Sequence, residues 1–93
     1  MHVTGGGLPE NIPRVVPKGL ATKVLRASWE VPPLFRWLQD AGDVADAEMF
    51  RTFNMGVGMV AVVPRSDVDA ALAAGVGAFV MGEIVDGEGV IMA

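Results

Sequence analysis

Three consecutive glycines, Gly5, Gly6 and Gly7, stand near the amino end, and Pro9 follows after one residue. No other feature limits the local folding of this chain so tightly. Glycine has no Cβ and reaches φ > 0 without a clash, so successive N–H groups can point the same way. Pro9 suits the first turn of a helix, because its ring already sets φ near the helical value. A glycine loop followed by a helix start builds an anion site from main chain alone. The same glycines also serve as a turn that lets two elements pack closely, and spacing leaves both readings open. The run is neither a Walker loop, since the Gly-Lys-Ser/Thr ending is missing, nor GxGxxG. Met1 lies just upstream of this segment, so the chain is expected to be a piece of a larger protein.

Hydrophobic period and punctuation predict the remaining elements. A short helix over Pro9–Val16 ends at Pro17-Lys18-Gly19. Leu20–Ala27 alternates faces as a strand. Ser28-Trp29-Glu30 connects it to a helix opened by Pro32-Pro33 and stopped by Gly42, with Leu34, Phe35, Trp37, Leu38 and Ala41 on its apolar side. Asp43 is the expected N-cap of a helix from Val44 to about Phe53. Val57–Val63 is almost wholly apolar and β-rich, the pattern of a strand covered on both faces. Ser66 is expected to cap a helix from Asp67 to about Ala74, ended by Gly75 and Gly77. A strand over Ala78–Val85 follows, and Asp86-Gly87-Glu88-Gly89 predicts a hairpin into Val90-Ile91-Met92. This order implies an α+β domain, layered α/β/α, with helices packed on a mixed sheet. Residues 1–93 are expected to form one partial domain.

Composition narrows the function. The chain has 93 residues, is 52% apolar and carries a formal charge of −4. That apolar share supplies one core and argues against disorder. No Lys/Arg cluster provides the electrostatic footprint of a nucleic-acid or membrane-surface binder, so neither partner is expected. The chain has no cysteine, which excludes a disulfide framework and a thiolate site and fits a cytoplasmic location. The longest apolar run falls far short of the ~20 residues of a membrane span. His2 is the only histidine, and the carboxylates show no metal-loop spacing, so no metal site is expected from this chain.

Several residues could carry chemistry. Thr4 adds a hydroxyl donor to the Gly5-Gly6-Gly7 cradle. Arg14 can offer a bidentate phosphate contact or form a surface pair with Glu10, four residues away. Asn54, Gly56 and Gly58 join a helix end to an apolar strand; they either bring backbone close to a ligand or cap the helix. Arg51, three residues before Asn54, can face the same cleft. His2 has the pKa range of a general acid or base, or is a frayed terminal side chain. Trp29, Trp37, Phe35 and Phe50 read as core, with Met49, Met55, Met59 and Met81 filling gaps.

Taken in order, these segments resemble a known family. His2-Val3-Thr4-Gly5-Gly6-Gly7 with Glu10-Asn11-Ile12-Pro13-Arg14 is similar to the signature of the phosphoribosylformylglycinamidine cyclo-ligases, or AIR synthetases. Ser28-Trp29-Glu30-Val31-Pro32-Pro33, Trp37-Leu38-Gln39, Phe50 to Met59 and Gly82-Glu83-Ile84 match in the same order. The resemblance covers essentially the whole chain and favours the ligand-facing reading of both glycine segments.

The family's enzymes are several times longer, so this chain resembles the last part of their C-terminal domain. The resemblance implies an ATP-dependent ligase of purine biosynthesis that cyclises formylglycinamidine ribonucleotide to aminoimidazole ribonucleotide. ATP and Mg²⁺ would be held mainly by an N-terminal domain outside this chain, and the parent would be a homodimer. By match, Thr4, Gly5, Gly6, Gly7, Asn11 and Arg14, with His2, would face phosphate, and Asn54, Gly56 and Gly58 would form a second lining segment. The fragment alone is expected to be inactive. Met1 stands where the family usually has alanine, and the Gly75-Val76-Gly77 segment is shorter than in many relatives. Two alternatives are a non-enzymatic module that self-associates through an uncovered surface, and a fragment of another member of the same ATP-binding superfamily.

Overall fold

The computed structural model describes all of residues 1–93. Four α-helices and three strands follow one another as α1 (Gly7–Asn11), β1 (Leu20–Val24), α2 (Pro33–Gly42), α3 (Asp46–Thr52), α4 (Val68–Ala74), β2 (Gly82–Asp86) and β3 (Gly89–Met92). Short 3-10 turns cover Ile12–Arg14, Arg26–Ser28 and Arg65–Asp67. The class is α+β with a mixed sheet, as the pattern predicts.

The sheet order is β2-β1-β3, with β2 antiparallel and β3 parallel to β1. This corrects the expected hairpin. Asp86 lies opposite Leu20 and Gly89 opposite Ala21, so β2 and β3 flank β1 and do not pair with each other. Residues 87–88 step across the start of β1, and the Gly87 N–H donates to Gly19 O at 3.2 Å. Gly87 has φ 135° and Gly89 φ 74°, conformations that only glycine adopts without cost.

The core lies between α1, α3 and the sheet. Leu8, Ile12, Val24 and Met49 are fully enclosed, and Phe50, Met55 and Val57 nearly so. Successive strand residues face opposite sides, and Val24, Val90 and Met92 pack on this cluster. The opposite face carries half-buried Lys23 and exposed Glu83 and Ile91.

Other expectations need correcting. Asp43 does not cap α3; at φ 51° it ends α2 in the left-handed conformation, donating its N–H to Asp40 O, while Val44 N–H donates to Gln39 O. An Asp tolerates that conformation because its short polar side chain bonds locally. The helix expected to Val16 runs as α1 and then a 3-10 turn, since Pro13 supplies no N–H. The first strand stops at Val24 and chain reversal begins at Arg26. Trp37 and Met59 are each 64% exposed, so neither belongs to the core.

Val57–Val63 is not a strand. Its first half pairs with the amino terminus: Val3 N–H donates to Gly58 O and Val60 N–H to Met1 O, both at 2.9 Å, around a His2–Met59 antiparallel bridge. Ala61, Val62 and Val63 have no backbone partner and are exposed. The strand expected from Ala78 begins only at Gly82, where β1 supplies one. The radius of gyration is 13.6 Å, against about 12 Å for a compact domain of this length. Residues 61–80 extend the molecule without enlarging its core.

Candidate functional site

The His2–Met59 bridge joins the two glycine segments that the sequence singles out. One strand of this ribbon runs into Thr4-Gly5-Gly6-Gly7, and the other starts from Asn54-Met55-Gly56-Val57. The first segment is a tight turn closed by Gly7 N–H donating to Thr4 O at 3.1 Å. Gly6 and Gly7 both have positive φ, 92° and 63°. Gly7 is buried, and a Cβ on it would run into the carbonyl oxygen of Phe50. Its role is therefore close packing of α1 against the end of α3. Gly5 differs: it is exposed, and a Cβ there would meet nothing within 4 Å. A Cβ on Gly6 would strike the flexible side chain of Glu10, whose carboxylate folds back beside the turn.

Asn11 sits behind this turn, only 1% exposed. Its Nδ2 donates to Thr4 O at 3.1 Å, Gly5 O at 3.3 Å and Gly7 O at 2.7 Å. Its Oδ1 accepts from the Thr4 hydroxyl at 3.0 Å. The opposite amide orientation would set an oxygen against three carbonyls, so this network fixes which end is which. Both ends of Asn11 and the Thr4 proton are thus engaged inside the turn. Neither side chain offers its donor outward, although sequence matching puts both toward phosphate. No backbone carbonyl accepts from the Gly5 or Gly6 N–H.

The second turn has positive φ at both central residues, Met55 at 55° and Gly56 at 96°. Val57 N–H donates to Asn54 O at 3.0 Å, and Gly56 N–H to Asn54 Oδ1 at 2.8 Å. The Asn54 side-chain oxygen therefore shapes its own turn. A left-handed methionine costs on the order of 1 kcal/mol, and this one is held by burying its side chain and by Trp29, whose Nε1–H donates to Met55 O at 3.0 Å. Trp29 was legible only as a core residue; nothing in its spacing marks it as a prop for this turn. Gly56 packs on Pro32, and a Cβ would overlap the proline ring. Gly58 is exposed with open space where a Cβ would stand.

His2 is exposed and joins the site through backbone pairing. Arg14 is exposed at the end of the 3-10 turn and forms no ion pair, with Glu10 or any other group. Arg51 pairs with Glu48 at 3.7 Å on the surface of α3. A separate cleft of about 340 Å³ lies beside the second turn, floored by Trp29, Phe50 and Met55. On its rim Arg26 meets Asp46 at 3.2 Å and lies 5.0 Å from the centre of the Phe50 ring. Hydrogen bonds from Gln39 and Arg26, and the charge of Arg26, hold the Asp46 carboxyl below its ordinary value. No three His, Cys, Asp or Glu side chains are grouped to hold a metal ion, and no helix is long and apolar enough to cross a membrane.

Comparison with known proteins places the sequence in a family. The family model described as AIR synthase related protein, C-terminal domain, matches residues 1–93. The chain is 58% identical over 72 residues to the phosphoribosylformylglycinamidine cyclo-ligase of Methylobacillus flagellatus, covering 77% of this chain and 21% of that protein. It is 51% identical over 92 residues to the enzyme of the same name from Thermoanaerobacter sp., covering 95% and 27%. For the Desulfitobacterium hafniense enzyme the identity is 54% over 87 residues, covering 89% and 26%. The chain spans about a quarter of the length of these curated relatives.

Proposed function

The chain belongs to the family of AIR synthase related C-terminal domains, and from that premise we propose that it forms the phosphate-binding wall of an ATP-dependent phosphoribosylformylglycinamidine cyclo-ligase. One observation carries this reading: two glycine turns are tied side by side, and one of them presents backbone N–H groups with no internal acceptor. Gly5 supplies a donor with open space beside it, and Gly6 a second one flanked by the Glu10 carboxylate; such paired N–H groups suit the phosphate of a ribonucleotide substrate. The five-residue α1 contributes little dipole, since macrodipoles grow from many aligned peptides. Glu10 is exposed and movable, and an incoming anion displaces its carboxylate from the flank of Gly6.

In the proposed reaction, ATP phosphorylates the amide oxygen of formylglycinamidine ribonucleotide and leaves as ADP; a nitrogen of the substrate then attacks the activated carbon and expels inorganic phosphate, giving aminoimidazole ribonucleotide. This chain's residues fit only the anion-binding part of that chemistry. No three of their His, Asp or Glu side chains are grouped to hold a metal ion, and no metal step is assigned to them. Their work is to hold and orient the substrate phosphate, a positioning contribution that lowers the entropic part of the barrier. Arg14, exposed and without an ion pair, adds a positive charge. His2, Asn54, Gly56 and Gly58 belong to the second lining segment of the same proposal, and the parent is proposed to act as a homodimer.

Gly5→Val in the full-length enzyme tests this reading. The site has room for a side chain and needs no positive φ, so the fold should survive while the added methyls crowd the donor face. A rise in KM of tenfold or more for formylglycinamidine ribonucleotide, with the melting temperature nearly unchanged, is expected. An unaltered KM would remove the turn from the substrate site.

A further inference from the structure

We propose that the edge of Ala61–Val63 is a docking surface for one β-strand, the stretch of the full-length enzyme that runs directly into Met1. Three backbone hydrogen bonds set its register. Val3 N–H donates to Gly58 O and Val60 N–H to Met1 O, both at 2.9 Å, and the Met1 terminal nitrogen donates to Val60 O at 2.7 Å. Met1 and Val60 thus exchange both bonds, and His2 and Met59 form the non-bonded pair beside them. The terminal ammonium stands where the peptide N–H of a continuing strand stands. The ladder reaches Met1, but its other side goes on: Ala61, Val62 and Val63 are exposed and have no backbone partner. Uncharged and rich in valine, they offer what an open edge offers to an incoming strand. The matched family is a C-terminal domain, and the chain spans about a quarter of its curated relatives, which supports a parent with ample chain ahead of Met1.

Antiparallel pairing sets the residue directly before Met1 opposite Ala61, and the second residue before it opposite Val62. Bonded and non-bonded pairs alternate along such a ladder. Val62 is therefore the next residue to exchange both bonds, while the Ala61 and Val63 N–H groups point away from the added strand. Side chains alternate as well. Met1 and Val3 pack on the core cluster that includes Val60, whereas His2 and Met59 are exposed on the other side. The second residue before Met1 thus joins Val62 on the core side of the ribbon, and an apolar residue is expected there.

The test is disulfide mapping in the full-length enzyme, with any other cysteine replaced by serine. Ala61 and the residue before Met1 form a non-bonded pair, whose Cα atoms lie about 4.5 Å apart, within the span of a disulfide. Ala61→Cys with a cysteine at the residue before Met1 should oxidise to a cross-link. Ala61→Cys with a cysteine at the second residue before Met1, which faces the other side, should cross-link about tenfold more slowly or less. No cross-link in the first pair, or equal rates in the two, would overturn the proposal. If the cysteine variants do not fold, hydrogen exchange in the unmodified enzyme decides. The Val62 N–H should exchange about a hundredfold more slowly than in an unstructured peptide of the same sequence. Exchange at the unstructured rate would overturn the proposal. Protection confined to Ala61 and Val63 would overturn it too, because it places the partner on the opposite edge. No ligand enters these measurements, so they stand whether or not the anion site does.

Discussion

Val57 and Val62 belong to one apolar run, five residues apart, yet Val57 is 5% exposed and Val62 47%. The division between the packed region and the bare arm, residues 61–80, falls inside that run. Up to Val60 the backbone has a partner, because Met1–Val3 lies antiparallel to it. Beyond Val60 neither Ala61–Val63 nor Phe79–Val80 has one. Apolar composition alone does not bury a segment; its peptide groups must first be satisfied. The bare arm, with α4, encloses an apolar groove of about 570 Å³, whereas the packed region closes on α1, α3 and the sheet.

The largest expected effect comes from comparing a methyl group at two glycines of the packed region, one enclosed and one with open space beside it. Gly7→Ala drives a Cβ into the Phe50 carbonyl and asks alanine to hold φ 63°. Backbone cannot yield as a flexible side chain does, so a loss of about 3 kcal/mol or more is expected, enough to unfold a small domain. Gly58→Ala, where space is open and φ is not positive, should cost about 1 kcal/mol or less. Urea unfolding followed by Trp29 fluorescence measures both. Similar losses for the two would show that α1 and α3 do not pack as closely as Gly7 requires.

Trp29 is the link between the two regions. It meets Phe50 edge-on at 6.5 Å on the packed side and Phe79 at 6.1 Å in the arm, while its indole N–H holds Met55 O. Trp29→Phe keeps an aromatic ring and removes the donor, leaving the strained Met55 turn without its prop. A loss of about 1–2 kcal/mol is expected from the broken bond and reduced packing. Amide exchange should accelerate at Gly56 and Val57 more than in β1. Uniform acceleration throughout would mean that Trp29 supports the whole core and not this turn.

Much of the packed region was legible because local rules and tertiary contacts agree there. Pro33 opens α2 and apolar spacing marks α3; Gly5-Gly6-Gly7 and Asn54-Met55-Gly56 announce turns. The misses arise where a partner outside the local window decides. Val57–Val63 has strand composition, but only its first residues find a strand. Asp86-Gly87-Glu88-Gly89 has hairpin chemistry, yet β1 takes both neighbours and forces the connection to step across it. The family resemblance sets Asn11 toward phosphate, and neither its residue type nor its spacing reveals that its side chain is enclosed and bonded to Thr4, Gly5 and Gly7. Met55 gave no signal at all: a methionine with positive φ is visible only once Asn54, Gly56 and Trp29 are seen around it.

Thr22 exposes a small inefficiency at the centre of the packed side. Its residue is 7% exposed, and its Oγ1 is buried with no hydrogen-bond partner. Valine has nearly the same shape and suits a central strand. Thr22→Val should therefore stabilise the chain by about 0.5–1.5 kcal/mol, by removing an unsatisfied polar atom. The equivalent polar change on the arm, Val62→Lys, should alter stability by less than about 0.5 kcal/mol, since no core contact is lost. Thermal melts of the two variants should move in one case only; a large loss from Val62→Lys would show that the arm is not bare.

The smallest expected effect lies on the exposed rim that joins β1 to α3. Gln39 and Arg26 hold the Asp46 carboxyl below its ordinary value of 3.8. A carboxyl lowered in the folded state binds its proton more weakly there than in the unfolded chain. Its contribution is thus fully present above pH 3.8 and is lost as pH falls from that value through the folded one. Asp46 and Arg26 are both largely exposed, so solvent and salt screen the pair and only a slight effect is expected. Unfolding curves between pH 5 and 2 should show Asp46→Asn converging on the parent at the acid end, with the gap narrowing in high salt. A gap that persists at pH 2 would assign the role of Asp46 to its hydrogen-bonded shape, which the asparagine alters, and not to its charge.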